Sequence, residues 1–222
     1  MENFDSALLS CQLFAGIPIS GLKSMLGCLG ARERRFSKNS FIVVAGCKMD
    51  WVGVVLSGAV LIQREDYWGK RNIIDRIESG ASFGEAFVYA QVEELPVSVI
   101  AIEDSEILLL DGGRIIKPCA SVCSFHEAIV KNLALLLAKK NITLIQKLEH
   151  ITQTTTREKL LSYLSGQAQL ERKSSFDIPF SREELADYLS VERSAMSAAL
   201  SKMREDGLIL YRKNHFELLK QP

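Results

Sequence analysis

The chain has 222 residues, 47% hydrophobic and 24% charged, a composition typical of a globular protein and not of a disordered or fibrous one. Its 27 basic and 27 acidic side chains cancel, so the net charge gives no support to a nucleic-acid partner, which has to be argued from local charge. The N-terminus lacks the features of a signal peptide and the longest apolar run, Leu133 to Ala138, is too short to cross a membrane, which predicts a cytoplasmic protein without a membrane partner.

The first two predicted regions differ in periodicity. Apolar side chains of the first thirty residues recur at helical spacing, which predicts short helices. From Ala31 to Asp111 the pattern changes to short runs rich in Val, Ile and Phe, separated by glycine-containing turns, as in a small sandwich or barrel. The predicted strands are Phe41 to Ala45, Trp51 to Leu56, Ala59 to Gln63, Asn72 to Ile77, Val97 to Ile102 and Glu106 to Leu110.

A long helix without internal Gly or Pro is predicted from Ser124 to Ile151. It carries a seam in which spacings of three and four residues alternate, as in a coiled coil. The seam consists of Val130, Ala134, Leu137, Asn141, Leu144, Leu148 and Ile151. A buried Asn at such a position fixes register in a two-stranded parallel coil, so the pattern predicts a homodimer. Packing of this stripe on the protein's own sheet is the alternative, and Lys140 and Lys147, which fall outside the seam, fit both.

The C-terminal region, after the polar stretch 152–156, has the pattern of a helix-turn-helix followed by a hairpin. Helices are predicted at Arg157 to Gln169, Ser181 to Leu189 and Arg193 to Asp206, and a strand pair lies between Leu208 and Leu219. Ser181 and Glu184 have the spacing of a capping box, and residues 190–192 form a tight turn. Small Ala186 allows the two helices to cross closely.

The second helix of this motif exposes short hydroxyls and cations, the groups that enter a major groove and read base edges. Between Arg193 and Arg204 there are three basic residues and no acid, whereas the acids lie on the preceding helix and turn. The hairpin adds cations for the phosphate backbone, as a wing would. The candidate DNA-binding residues are Arg193, Ser194, Ser197, Ser201, Lys202, Arg212 and Lys213.

The whole chain resembles transcription regulators of the CRP/FNR superfamily, through residues 13–17, 55–60, 80–86 and 181–209. The resemblance implies an α+β fold: an N-terminal β-roll (jelly-roll-like) sensor domain over 1–123, a long dimerisation helix over 124–152 and a C-terminal winged helix-turn-helix domain over 153–222. It implies a bacterial-type, effector-responsive homodimer that binds palindromic half-sites of double-stranded DNA, with RNA polymerase as a further partner. An enzyme is not expected, since the sequence offers no His pair for a metal, no nucleophile with a base and no Gly-rich phosphate loop.

The effector is not expected to be cyclic AMP. In relatives that bind it, a Phe-Gly-Glu turn supplies backbone amides and a carboxylate for the ribose, and an Arg about ten residues later neutralises the phosphate. Residues 83–85 match that turn, but residues 93–98 hold two acids and no cation, so a buried phosphate would lack its counter-charge. An unknown small effector is expected at a pocket formed by Phe83, Gly84, Glu85, Asn141, Leu144 and Ile145.

The five cysteines fit no metal motif. Cys11, Cys28 and Cys47 are too dispersed for the iron–sulfur arrangement of some relatives, and Cys119 and Cys123 lack the partners a cluster needs. The three histidines are isolated from one another, so no metal site or cofactor is predicted. Two alternatives stay open: a regulator that responds to thiol oxidation, and a ligand-sensing module whose helix-turn-helix contacts protein only.

Overall fold

The computed structural model describes residues 2–69, 71–117 and 124–219. Contacts divide the chain into two compact units. The N-terminal unit comprises 1–70 and 74–140, and the C-terminal unit comprises 71–73 and 141–222. The long helix α5, Ser124–Ile151, contributes to both units, and the division falls between Lys140 and Asn141.

The N-terminal unit is built on two four-stranded antiparallel sheets, which confirms the predicted β-roll. The sheet orders are β1-β8-β3-β6 and β2-β7-β4-β5. The strands are β1 Arg32–Phe36, β2 Phe41–Val43, β3 Trp51–Ser57, β4 Ala59–Glu65, β5 Arg71–Glu78, β6 Ser82–Phe83, β7 Ser98–Ala101 and β8 Ser105–Asp111. Six of them correspond to the predicted runs. Strand β1 was not predicted because it is an exposed edge strand with three arginines, which lacks the apolar alternation of a half-buried strand.

The N-terminal unit also contains short helices. They are α1 Glu2–Ser10, α2 Ile19–Cys28, α3 Glu85–Tyr89 and α4 Gly112–Ile116, with a 3-10 turn at Gln12–Phe14. The helices predicted in the first thirty residues are therefore confirmed. Side chains of α1 and α2 share one buried cluster with β3, β8 and two residues of α5, Ile129 and Leu133. This cluster fixes the first half of α5 on the roll.

Helix α5 carries two different apolar stripes. Ile129 and Leu133 are buried in the N-terminal core, so part of the helix does pack on the protein's own fold. The predicted seam lies largely apart from this core, although its member Leu137 packs against the same cluster. Its members Val130, Leu144 and Leu148 are 39%, 51% and 56% exposed. Ala134 and Asn141 are exposed as well, whereas Leu137 and Ile151 are half-buried.

Besides the end of α5, the described part of the C-terminal unit contains three helices and a three-stranded sheet of order β10-β11-β9. Its elements are α6 Thr156–Glu171, β9 Ser175–Asp177, α7 Arg182–Tyr188, α8 Arg193–Glu205, β10 Ile209–Arg212 and β11 His215–Leu218. The capping box of Ser181 and Glu184 begins α7 as predicted. Strand β9 was not predicted, since three residues are too few to show a period.

Candidate nucleic-acid interface and ligand site

Helices α7 and α8 form a helix-turn-helix whose apolar side chains pack into the core of the C-terminal unit. Ser190 closes the turn in the left-handed conformation (φ 53°), and the Val191 amide donates to the Ala186 carbonyl at 3.0 Å. Met196, Leu200 and Met203 are at most 1% exposed and face the core of the unit. The opposite face of α8 is therefore turned outward by apolar burial.

That outward face carries the predicted reading residues. Arg193, Ser194, Ser197 and Lys202 are exposed, and Ser201 is half-buried. The Ser197 hydroxyl donates to the Arg193 carbonyl at 3.0 Å, so Ser197 presents chiefly an acceptor to a ligand. The structure thus brings the predicted residues of this helix onto one accessible surface.

A carboxylate stands at the beginning of this surface. Glu192 is the N-cap of α8, where it accepts hydrogen bonds from the Ala195 amide at 2.9 Å and from the Ser194 hydroxyl. These bonds, that of Ser194 first, lower the pKa of Glu192, so it is ionised at neutral pH. The sequence pattern places Glu192 in the turn only. The hydrogen bond between Glu192 and Ser194 follows from capping, which brings the Glu192 side chain back to the first helical turn.

The wing is the hairpin of β10 and β11, which places Arg212 and Lys213 in the open at its tip. Arg182, the first residue of α7, fixes this hairpin. Its guanidinium carbon lies 4.8 Å from the Tyr211 ring centroid and 4.7 Å from that of Phe216, and its Nη2 donates to the Lys213 carbonyl at 2.6 Å. Burial lowers the pKa of Arg182, and a cation at a helix N-terminus is unfavourable. Ring stacking and the carbonyl bond offset these costs.

The other side of the wing is held by His215. Its Nδ1 lies 3.0 Å from Asp177 Oδ1 and its Nε2 lies 3.0 Å from Ser175 Oγ, both on β9. Ser175, His215 and Asp177 are thus connected in the order of a nucleophile, a base and an acid. The sequence pattern predicts no such group. The side chains of His215 and Asp177 are 48% and 79% exposed, without the exclusion of water that such chemistry uses. The arrangement follows from the antiparallel register, which pairs His215 with Asp177.

The predicted ligand turn begins α3. Gly84 has φ 92°, a left-handed conformation that side-chain-bearing residues rarely adopt, so glycine suits this position. Phe83 is buried in the roll, edge-to-face on Trp51 at 6.0 Å. Glu85 is 1% exposed, and its Oε2 accepts a hydrogen bond from Lys140 Nζ at 3.0 Å. The same ammonium donates to the Ser82 carbonyl at 2.6 Å.

The long helix therefore meets the turn through a residue that was not predicted. The sequence pointed to Asn141, Leu144 and Ile145, all of which are exposed on the C-terminal half of α5. Lys140 is the α5 residue that contacts Glu85. A contact between positions 55 residues apart leaves no periodic signal in a single sequence.

Two clefts of the N-terminal unit lie away from Glu85. One, of about 170 Å³, is lined by residues that include Asp50, Trp51 and Arg114. The other, of about 440 Å³, runs along residues 35–37 and 104–106. Among the described residues no group of three His, Cys, Asp or Glu side chains could hold a metal ion. Cys119 and Cys123 lie outside the described residues.

Comparison with known proteins assigns both units. Residues 33–121 match the cyclic nucleotide-binding domain family, and residues 158–221 match the Crp-like helix-turn-helix domain family. Together these two matches cover most of the chain and lie on either side of the long helix α5. The chain belongs to the CRP/FNR family of transcription regulators. It is a DNA-binding regulator of that type.

Individual CRP/FNR relatives are distant in sequence. The chain is 25% identical over 216 residues, 91% of its length and 85% of the relative's, to a Rhizobium leguminosarum bv. viciae protein described as a "Probable transcriptional activator". Its fold is similar to that of the c-di-GMP responsive regulator CLP from Xanthomonas campestris (TM-score 0.72, 17% identity, 92% and 100% of the two chains). FixK2 from Bradyrhizobium japonicum gives a TM-score of 0.64 at 19% identity, over 86% and 93% of the chains. Within the described residues, no helix is both long and apolar enough to span a bilayer.

Proposed function

We propose that this regulator acts in the cytoplasm as a homodimer that binds two palindromic half-sites of double-stranded DNA. It responds to a small effector other than cyclic AMP, acts on transcription together with RNA polymerase, and catalyses no reaction. The observation that carries this proposal is the outward face of α8, where Arg193, Ser194, Ser197 and Lys202 are exposed next to the wing cations. Such a face offers direct contacts to base edges and to phosphates.

The exposed seam of α5 supports the homodimer. Leu144 and Leu148 leave about half of their surface open to solvent, and Asn141 is exposed one step along the same seam. A heptad stripe left open on a single chain suits a second copy of the same helix, since each apolar residue then fills a hole on its partner. Dimeric helix-turn-helix proteins read two half-sites whose symmetry matches their own.

The lack of a cation near the ligand turn supports an effector other than cyclic AMP. Leu95 and Pro96 lie where relatives that bind cyclic AMP carry an arginine. Glu93 and Glu94 come just before them. Leu95 is 2% exposed, so a phosphate there would meet an apolar side chain in place of a counter-charge.

Among the described residues, the thiol-switch alternative concerns the exposed cysteines. Burial raises the pKa of the Cys11 thiol to about 11, so this residue stays protonated and unreactive at neutral pH. Cys28 and Cys47 are exposed. Iodoacetamide at pH 8 is expected to modify Cys28 and Cys47 in the folded protein and Cys11 only after unfolding. Equal DNA affinity of the oxidised and reduced protein would dismiss this alternative, and an oxidation-dependent affinity would favour it.

Three measurements on the full-length protein test the proposal. Sedimentation equilibrium at micromolar concentration is expected to give a dimer; a monomer would refute the seam assignment. Calorimetry is expected to show no tight binding of cyclic AMP, whereas micromolar or tighter binding would overturn the proposed effector class. Gel-shift on the DNA upstream of its own gene distinguishes a DNA-binding module from one that contacts protein only, because only the former retards the fragment.

A further inference from the structure

The ligand turn of the roll already has a charged partner within the chain. Lys140 Nζ makes two contacts there, with the Ser82 carbonyl at 2.6 Å and with Glu85 Oε2 at 3.0 Å. The side chain of Glu85 is 2% exposed and that of Lys140 is 32% exposed. The ammonium thus reaches the turn from the side of the solvent and covers a carboxylate that is itself buried.

Such a carboxylate needs a counter-charge, because an isolated buried charge is strongly destabilising. The neighbouring Tyr89 hydroxyl does not serve it, since it donates to the Gly112 carbonyl at 3.2 Å. Burial, reinforced by the charge of Glu85, raises the pKa of Tyr89, so this neighbour stays neutral. Within the described part of the chain, Lys140 is the residue that forms a salt bridge with Glu85.

The turn is incompletely satisfied even with Lys140 in place. Glu85 Oε1 and Ser82 Oγ are buried and have no hydrogen-bond partner among the described residues. Lys140 therefore supports one oxygen of the carboxylate and leaves the other without a partner among the described residues. Loss of the ammonium would expose the full cost of the buried charge.

We infer that Lys140 is a built-in ligand of the Glu85 turn, a positioning residue that holds α5 on the roll through the carboxylate that cyclic-nucleotide-binding relatives offer to a ribose. An effector reaches Glu85 only by displacing this ammonium. Lys140 immediately precedes Asn141, the polar position of the dimer seam. Displacement of the Lys140 ammonium from the turn therefore acts on α5 next to a residue of the seam. This inference rests on the proposed function, since the seam and the DNA contacts belong to it.

A double-mutant cycle tests the pair, with Lys140→Met, Glu85→Gln, the combination, and Lys131→Met as a control at an exposed position of the same helix. Thermal unfolding is followed without DNA. Lys140→Met is expected to lower the unfolding midpoint by roughly 5–10 °C, because it leaves the carboxylate uncompensated. Adding Glu85→Gln is expected to restore most of this loss, since the neutral amide needs no counter-charge. Lys131→Met is expected to change the midpoint by less than about 1 °C.

The outcomes separate a specific pair from general packing. Rescue of Lys140→Met by Glu85→Gln, with faster amide hydrogen exchange over Glu85–Tyr89 in Lys140→Met alone, supports the inference. Additive losses, or a midpoint of Lys140→Met equal to that of the wild type, overturn it. Both readouts are taken on the free protein, so they stand apart from any failure of the chain to bind DNA.

The functional consequence is measured by DNA affinity. Lys140→Met is expected to bind the wild-type target about tenfold more weakly, because the helix that carries the seam is no longer fixed on the roll. The conservative Lys140→Arg is expected to recover most of this affinity. Unchanged affinity in Lys140→Met, while the wild type binds DNA, would refute a positioning role and leave the proposed function intact.

Discussion

The ligand turn and the DNA face treat charge in opposite ways. At the turn, Glu85 is buried and its charge is paired with Lys140 of the same chain. On α8 and the wing, Arg193, Lys202 and Arg212 are exposed to solvent. A charge already paired in the interior positions a structure, whereas an exposed charge on a rigid element is available to a partner. The difference indicates that the C-terminal unit is prepared for binding and that the turn of the N-terminal unit is occupied.

The two regions also differ in how much of their structure the sequence could predict. The helix-turn-helix has local signals, such as the capping box at Ser181 and the apolar stripe of α8, and these were predicted with nearly the observed boundaries. The strand-rich roll follows from its short runs of Val, Ile and Phe between glycine-containing turns. The Lys140 contact could not be predicted, because it joins two positions far apart in sequence that share no period. The role of Arg182 was not predicted, because its neighbours Tyr211 and Phe216 lie on β10 and β11, far along the chain from α7.

The largest expected effect concerns the dimer seam of α5. Leu148→Lys is expected to raise the dimer dissociation constant more than tenfold, because the dimer loses the newly buried half of two leucines, worth about 1.5–3 kcal/mol together, and gains two ammonium groups in an apolar interface. Ile142 is a matched control, since it is 57% exposed, close to the 56% of Leu148, and lies off the seam. Ile142→Lys is expected to change the constant less than threefold by sedimentation. Equal effects at both positions would refute the seam.

The next effect concerns base reading. Arg193→Ala is expected to cost about 1–3 kcal/mol in specific DNA binding and to relax the preference at one base pair of each half-site. Lys173→Ala, an exposed cation outside the helix-turn-helix, is the control. Fluorescence anisotropy on a matched and a mismatched duplex measures both quantities. Unchanged discrimination in Arg193→Ala would remove this residue from the reading face.

A smaller effect is expected at the wing. Arg182→Ala is expected to weaken DNA binding by about fivefold, and to lower the slope of log affinity against log salt by up to about two per protomer, as Arg212 and Lys213 lose their position. Arg182→Lys keeps the charge but loses the planar stacking, so it is expected to resemble Arg182→Ala. Full affinity in Arg182→Lys would mean that Arg182 contacts a phosphate itself.

The smallest effect is a dependence of stability on pH. Burial lowers the pKa of His150, whose Nδ1 lies 2.8 Å from Ser162 Oγ. The unfolded chain then binds a proton more readily than the folded one, so the free energy of unfolding falls as pH drops below about 6.5. Urea unfolding between pH 8 and pH 5 measures this fall, which is expected to be smaller in His150→Gln. The same pH dependence in both proteins would assign it to other groups.

The most direct measurement is selection of bound sequences from random double-stranded DNA by the full-length protein. We expect enrichment of a palindrome whose half-sites are centred about one helical turn apart, as two symmetry-related copies of α8 require. Enrichment should occur without added cyclic AMP and should lose one specified base pair in each half-site with Arg193→Ala. Recovery of no preferred sequence, or of a site without two-fold symmetry, would contradict the account of a dimeric regulator that reads DNA through α8.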